Sequence, residues 1–228
     1  MELTVVSIGT LSKNPFWDEK APVRTSHATT TLLRSGQAVV LVDPSLPAQA
    51  LQPRLFERTG LQPDAITHVF LTSFRPVHRR GLRLFEKAQW LLAEREMEFA
   101  EEQLRTAEHR AAEGEHADRE LQAMVADELA LLKKCRPAPD SLAEGIDLFP
   151  LPGYTPGQAG LLVGGTTITA MVAGDAVPTA AHFLAGRIFE DCYDIEKAKD
   201  SMAEMYEIAD LIVPGHDNLF LNPRTAGF

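Results

Sequence analysis

Short apolar runs alternate with amphipathic stretches along this chain of 228 residues. The runs are rich in Val, Leu and Ile, which predicts strands over residues 2–9, 29–34, 39–42, 69–71, 88–92, 146–149, 161–163, 167–172 and 211–213. Residues 47–59 predict a helix because Leu51, Leu55 and Phe56 fall on one helical face. Asp194 is a suitable N-cap for a second helix, whose apolar positions are Ala198, Met202, Met205 and Ala209.

A different periodicity occupies residues 93–134. Apolar residues recur there at steps of three and four between charged ones, at Met97, Ala100, Leu104, Ala107, Ala111, Leu121, Val125, Leu129 and Leu132. Glu113-Gly114-Glu115 interrupts the pattern, so the segment predicts a helical hairpin. Its two apolar stripes could pack on each other or against a partner subunit. A homodimer formed through the hairpin is therefore one hypothesis.

Both halves of the chain have strands first and a helix later. This order favours an α/β protein in which two sheets stack face to face with helices outside. No linker separates the halves, so we predict one domain over residues 1–228, with the hairpin as an insertion at about 93–134. Residues 10–24 carry two prolines with Phe16 and Trp17, and this segment is expected either to fold over a site or to be a surface loop.

Composition narrows the range of functions. Hydrophobic residues make up 45% of the chain, and the formal net charge of −10 argues against nucleic-acid binding, which needs a basic face. Cys135 and Cys192 have no metal-ligand spacing, so we expect reduced thiols in a cytoplasmic protein. Neither a signal peptide nor a membrane-spanning segment is expected.

Five motifs follow predicted strands in a fixed order: residues 40–44 (VLVDP), 73–78 (SFRPVH), 152–158 (PGYTPGQ), 172–177 (VAGDAV) and 213–217 (VPGHD). Together they resemble the metallo-β-lactamase superfamily, whose metal-binding loop has the pattern His-x-His-x-Asp-His. The resemblance spans nearly the whole chain and implies an αββα sandwich of two mixed β-sheets flanked by helices. It also implies hydrolysis by a metal-activated water, often of esters, lactones, thioesters or phosphodiesters.

The resemblance assigns the family's metal ligands to this chain one by one. The three histidines of the first metal site and the loop aspartate of the second are replaced, respectively, by Ser73, Arg75, Gln158 and Val77. The remaining groups of the second site are retained as His78, the bridging carboxylate Asp175 and His216. Ser and Gln are poor zinc ligands and charged Arg cannot ligate, so the usual dinuclear zinc site is not expected.

Two interpretations of this loss remain open. In the first, the three retained groups bind one metal ion, zinc or iron(II), and water completes the coordination. In the second, no metal binds, and the guanidinium of Arg75 pairs with the buried charge of Asp175. The leading hypothesis is a divergent member with weak, altered or lost hydrolase activity and a ligand-binding or regulatory role. The alternative is an active mononuclear metallo-hydrolase, for which Asp175 is the candidate catalytic residue.

Further residues are candidates for the cleft around this site. Asp43 is expected to orient the metal loop by hydrogen bonds rather than to touch metal. His182 and His27 could each contact a ligand in the cleft or belong to the surface. The arginines near the metal loop could hold the phosphate or carboxylate of a small-molecule ligand, although the last two could equally point to solvent; they are Arg75, Arg79 and Arg80.

Overall fold

Two six-stranded sheets form the centre of the computed structural model, which describes residues 1–112, 119–165 and 167–225. The first sheet contains, in spatial order, β1 (Glu2–Ser7), β2 (Thr30–Ser35), β3 (Ala38–Val42), β4 (His68–Leu71), β5 (Gln89–Leu92) and β6 (Arg136–Pro137). The second contains, in reverse spatial order, β7 (Ser141–Ala143), β8 (Ile146–Pro150), β9 (Ala159–Gly164), β10 (Thr169–Gly174), β11 (Leu211–Pro214) and β12 (Phe220–Leu221). Strands β3 to β6 pair in parallel, as do β10 and β11, and the other neighbours pair antiparallel.

Six α-helices in the described residues complete the fold. They are α1 (Ala48–Thr59), α2 (Pro76–Arg79), α3 (Glu94–Ala112), α4 (Arg119–Leu132), α5 (Ala180–Leu184) and α6 (Ile195–Ile208), and short 3-10 turns lie at Pro15–Trp17, Pro63–Ala65 and Leu82–Phe85. The two amphipathic helices predicted from the sequence are confirmed as α1 and α6, and Asp194 caps α6 by accepting a hydrogen bond from the backbone N–H of Lys197. Helix α2 was not predicted, because its four residues follow a strand within a motif that indicated only a polar turn.

Alternating side chains on the strands divide the core into three layers. Val40 and Val42 of β3 face the second sheet and pack in a cluster with Leu161 and Val172, whereas Leu41 between them faces away. The outward side of the first sheet packs against α1 and the hairpin, and the outward side of the second sheet packs against α5 and α6. The predicted αββα sandwich with two mixed sheets is confirmed.

The predicted hairpin corresponds to α3 and α4, which pack on each other. Its interrupting motif, Glu113-Gly114-Glu115, lies outside the described residues. Part of the apolar stripe is buried against the outer face of the first sheet, through Ala100, Leu131 and Leu132. The single domain and the homodimer stay predictions. Within the described ranges, every helix is too short or too polar to cross a membrane.

The strand ends determine where the site lies. Parallel strands carry their C-terminal ends to one edge of a sheet, and loops at that edge commonly hold ligands. Here β3 ends before Asp43, β4 ends before Thr72, and β10 and β11 lead directly to Asp175 and His216. The two sheets therefore bring four short loops to one edge of the sandwich.

Candidate functional site

A buried imidazole between two carboxylates forms the centre of the site. His78 Nδ1 lies 2.9 Å from Asp43 Oδ2, and His78 Nε2 lies 2.9 Å from Asp175 Oδ2. All three side chains are buried. Asp43 also accepts hydrogen bonds from the backbone N–H of Thr72, at 2.9 Å, and from its hydroxyl, at 2.7 Å. The expectation that Asp43 orients the loop by hydrogen bonds agrees with this geometry.

Local backbone geometry makes this contact possible. Asp43 has a φ of 49°, in the left-handed region that Asp tolerates better than most residues. Gly174, with a φ of 54°, packs its Cα against the side chain of Thr72, where a Cβ would collide. The close approach of these two loops brings Asp175, the next residue, to the imidazole of His78.

A second imidazole reaches the same carboxylate from the last motif. His216 Nε2 lies 3.0 Å from Asp175 Oδ1, but Oδ1 has no hydrogen-bond partner in the described residues. His216 Nδ1 lies 2.9 Å from the carbonyl oxygen of His27 and 3.2 Å from that of Thr10. Two alternatives were open for His27, a ligand contact in the cleft or a surface position. In the structure its backbone carbonyl contacts His216, while its ring lies 3.1 Å from the carbonyl of Ile8.

The outer partners of the two histidines fix where their protons lie. The carbonyls of Thr10 and His27 only accept, so His216 carries its proton on Nδ1. Asp43 accepts in the same way from His78 Nδ1. In the neutral tautomers both Nε2 atoms therefore present lone pairs to the oxygens of Asp175. Such an arrangement requires a cation, either additional protons or a metal ion, between the imidazoles and the carboxylate.

Burial and charge act in opposite directions on these groups. Burial lowers the pKa of His78, but the charges of Asp175 and Asp43 outweigh it and raise that pKa to about 10. Burial raises the pKa of Asp175, but the charges of His78 and His216 outweigh it and hold that pKa far below its ordinary value. Without a metal ion, the cation in the cluster is thus the His78 imidazolium.

The donor set fits one metal ion. One ligand atom from each of His78, Asp175 and His216 lies within 4.8 Å of the others. Two imidazoles and a carboxylate are a sufficient first coordination shell for zinc or iron(II). The unpartnered Oδ1 of Asp175 provides a free acceptor, and the partners of both Nδ1 atoms orient the rings as outer-shell groups do at metal sites.

The positions of the family's first metal site do not fit a second ion. Ser73 and Gln158 are completely or almost completely buried, and neither Ser73 Oγ nor Gln158 Oε1 has a hydrogen-bond partner in the described part of the chain. Gln158 Nε2 donates to the carbonyl of Ala173 at 3.3 Å. Val77, on α2, offers no ligand atom. A neutral hydroxyl, an amide and a guanidinium are a poor set for a divalent transition metal.

Arg75 does not neutralise Asp175. Its guanidinium carbon lies 4.5 Å from the centre of the Tyr154 ring, and no ion pair joins Arg75 to Asp175 among the described residues. The interpretation in which the Arg75 guanidinium replaces the metal charge is therefore wrong. The imidazoles of His78 and His216 already contact the carboxylate of Asp175. The guanidinium of Arg75 instead lies on the aromatic face of Tyr154, which attracts a cation.

Arg79 follows neither of the alternatives left open for it, an anion-binding residue or one directed to solvent. Its side chain is buried rather than directed to solvent, donates from Nε to the carbonyl of Phe74 at 2.8 Å, and forms an ion pair with Glu128 of α4. Arg80 is exposed and donates to the carbonyl of Ser26 at 2.5 Å. The hairpin is therefore linked to the metal loop through Arg79.

The sequence analysis missed Glu96 entirely. This buried residue of α3 accepts a hydrogen bond from the backbone N–H of Phe74 at 3.0 Å and another from Thr155 Oγ1 at 2.5 Å. Burial raises the pKa of Glu96 despite both hydrogen bonds. The carboxyl thus ties the metal loop to the loop of residues 152–158. Its position on a charge-rich helix gave no signal that distinguished it from solvated glutamates.

Aromatic side chains border the cluster on one side. The Phe189 ring lies 6.1 Å from His216, 6.0 Å from His182 and 5.1 Å from Tyr154, measured between ring centres. His182 is buried, contacts Thr179 Oγ1 through Nδ1 at 2.8 Å, and has a pKa lowered to about 4 by burial and by the charges of Arg187 and His216.

A cavity of about 370 Å³ opens beside this wall, lined by His182, Phe189, Arg187 and residues of the 10–24 segment. Phe16 of that segment packs edge-on against His182 with ring centres 4.9 Å apart. Of the two expectations for this segment, the geometry favours the one in which it folds over the site.

No protein-family model matches the chain. A curated relative, metallo-beta-lactamase domain-containing protein 1 of Xenopus laevis, is 35% identical over 74 residues, and the match spans 32% of this chain and 31% of that protein. A metallo-β-lactamase-like protein from Thermotoga maritima superposes with a TM-score of 0.67 at 18% identity, over 96% of this chain and 98% of the other.

Two lactonase structures are also similar. One is AidC, a dizinc quorum-quenching lactonase, with a TM-score of 0.66, 17% identity and coverage of 85% of this chain and 74% of that one. The other is AiiA of B. thuringiensis with N-decanoyl-L-homoserine bound, with a TM-score of 0.60, 18% identity and coverage of 94% and 92%. At these identities, the likeness concerns the fold.

Proposed function

We propose that this chain, which has the metallo-β-lactamase fold, is a divergent hydrolase-like protein that binds a single divalent metal ion through His78, Asp175 and His216. The single observation that carries the proposal is the commitment of both Nδ1 protons to outer acceptors. In the neutral tautomers, which metal binding requires, the two Nε2 lone pairs and the Asp175 carboxylate then converge without a hydrogen-bond donor among them. We further propose that hydrolysis is slow compared with that of two-metal relatives.

The chain's residues have distinct tasks in this proposal. A bound ion would supply Lewis acidity and a water of lowered pKa. Asp43 holds the His78 ring through Nδ1, and the carbonyls of Thr10 and His27 hold the His216 ring. Asp175 provides the negative charge that binds the ion. The wall formed by Phe189 and His182 keeps bulk water from one side of the site.

The expected slowness follows from the replaced ligands. In a two-metal site one ion polarises the substrate oxygen while the pair generates the nucleophile. A second ion is not held by Ser73, Arg75 and Gln158. Polarisation of the substrate oxygen would therefore have to come from the single bound metal or from hydrogen-bond donors. A ligand-binding or regulatory role is the second candidate. The specific observation favouring it is that protonated His78 contacts both Asp43 and Asp175, so a cation already lies between the two buried carboxylates without a metal ion.

The solved lactonases bind small homoserine-derived products. By extension, we propose small neutral or anionic esters and lactones as the substrate class for this chain. The cavity beside Phe189 and His182 has a volume of about 370 Å³, which is at the lower end of the range for small-molecule sites. Zinc and iron(II) are both compatible with the donor set.

Metal analysis tests the proposal. We expect elemental mass spectrometry to find about one zinc or iron ion per chain in the purified protein. Calorimetric titration of chelator-treated protein with the metal should show one binding event. His216→Ala should weaken metal binding by more than about 100-fold, because outer-shell changes alone cost 10- to 100-fold at such sites. Asp43→Asn should weaken it by about 10- to 100-fold.

His68→Ala is the matched control, because His68 lies on β4 just before the metal loop but outside the cluster. Its metal content should equal that of the parent protein. The metal centre would be ruled out if the parent protein binds no metal ion, or if His216→Ala leaves the metal affinity unchanged. Ester or lactone hydrolysis that rises with metal occupancy and falls in His216→Ala would favour the enzyme over the binding protein.

A further inference from the structure

Arg75 is a cation for which the described residues provide no hydrogen-bond acceptor. Its guanidinium is half-buried and lies on the face of Tyr154 at 4.5 Å, and within the described ranges it makes neither a hydrogen bond nor an ion pair. Arg79, four residues after Arg75, has both kinds of partner. A guanidinium has five N–H donors in a planar fork, so leaving all of them unpaired at a half-buried position is unusual.

The backbone around Arg75 is held on both sides. The N–H of Phe74 donates to Glu96, and the carbonyl of Arg75 accepts from the backbone N–H of His78 at 3.0 Å. Glu96 also binds Thr155, the residue next to Tyr154. The metal loop (residues 73–78) and the loop of residues 152–158 are therefore joined twice, by the Glu96 carboxyl and by the stack of Arg75 on Tyr154. A group held in this way loses little freedom when it binds a ligand.

A continuous row of rings connects this cation to the metal site. Tyr154 contacts Phe189 with ring centres 5.1 Å apart, and Phe189 contacts His216 with ring centres 6.1 Å apart. The charge of Arg75 acts to lower the pKa of Glu96, but both oxygens of that carboxyl already accept hydrogen bonds, from Phe74 and from Thr155. The Arg75 fork thus remains available to a ligand that lies along the rings.

We propose that Arg75, stacked on Tyr154, is an anion-binding subsite for an oxyanion of the ligand, a carboxylate or a phosphate. The planar fork matches the two oxygens of such a group. The position is one where the family has a metal ligand, so a charged side chain has exchanged a metal-binding role for a ligand-binding one. The subsite itself does not need the metal; only its use in catalysis rests on the proposed function.

Titration with inorganic phosphate tests the subsite separately from the metal centre. The probe is added to chelator-treated protein at constant ionic strength, and binding is followed by calorimetry and by the shift of the Arg75 Nε–H resonance in NMR. We expect saturable binding that weakens about tenfold or more in Arg75→Gln, because charge-assisted hydrogen bonds are lost. Tyr154→Leu, which keeps the charge but removes the stack, should weaken binding to a lesser degree.

Arg80→Gln is the matched control, because it removes the same charge from the same stretch at an exposed position. It should change phosphate affinity less than twofold. Absence of saturable binding, or equal weakening in Arg75→Gln and Arg80→Gln, would overturn the subsite. If the parent protein binds no metal but still binds phosphate in a way that depends on Arg75, only the proposed metal centre is overturned. The failure of the metal centre and the failure of the subsite are therefore distinguishable.

Discussion

The two halves of the candidate site differ in how completely their polar atoms are hydrogen-bonded. The retained half contains Asp43, His78, Asp175 and His216, and almost every polar atom in it has a partner. The replaced half contains Ser73, Arg75 and Gln158, and there two buried oxygens and a guanidinium lack acceptors or donors in the described residues. The same short loop supplies members of both halves. The side-chain contacts that support the retained half therefore do not involve Ser73, Arg75 or Gln158.

The largest expected effect comes from breaking the retained half. His78→Ala leaves Asp43 and Asp175 buried without their shared partner, and removal of one member of a buried charged pair costs about 3–5 kcal/mol. Urea denaturation of chelated protein measures this loss of unfolding free energy. His68→Ala should cost less than about 1 kcal/mol. Equal losses in the two variants would mean that the cluster contributes no special stability.

A pH series gives a graded version of the same test. The pKa of His78 is raised from its ordinary 6.5 to about 10 in the folded chain. Its stabilisation of chelated protein is therefore complete below about pH 6.5 and is lost as the pH rises through 10. The lowered pKa of Asp175 acts in the opposite sense, so its contribution is present above about pH 4 and is lost as the pH falls.

The measurement is the unfolding free energy from urea titrations between pH 4 and pH 10, with His78→Ala as the reference. The difference between parent and variant should be largest near pH 5–6 and should shrink toward pH 10, because only the parent has the imidazolium to lose. A difference that stays constant across this range would contradict the charge assignment in the cluster.

The smallest expected effect comes from two neighbouring hydroxyls, one in each half. Thr72 Oγ1 donates to Asp43 at 2.7 Å, whereas Ser73 Oγ has no partner in the described chain. Thr72→Val should cost about 1–3 kcal/mol of unfolding free energy, because the buried Oδ2 of Asp43 loses one of its two donors. Ser73→Ala should be neutral within about 0.5 kcal/mol or slightly stabilising. Similar losses of unfolding free energy in the two variants would show that the replaced half is hydrogen-bonded as completely as the retained half.

Much of the fold was predictable because its signals are local. Short β-rich runs and the 3.6-residue periodicity of α1, α3, α4 and α6 depend on neighbouring residues only. The support that Asp43 gives to the metal loop, and the grouping of His78 with Asp175 and His216, were expected from the resemblance because each motif follows a recognisable strand. Glu96 and Arg79 were not, because a charged residue on a polar helix looks the same whether it contacts solvent or a loop that is distant in sequence.

The sequence by itself determined the order of the elements and which of the family's ligand positions still carry a ligand atom. Only the tertiary structure decided which cation faces Asp175. The loops after β4, β10 and β11 place two imidazoles at 2.9 and 3.0 Å from that carboxylate, so the space next to it is already occupied. Arg75, only three residues from His78, instead lies on Tyr154, because a flexible side chain takes the nearest favourable surface that its backbone direction permits. Such choices depend on distances between separate loops, which no local pattern records.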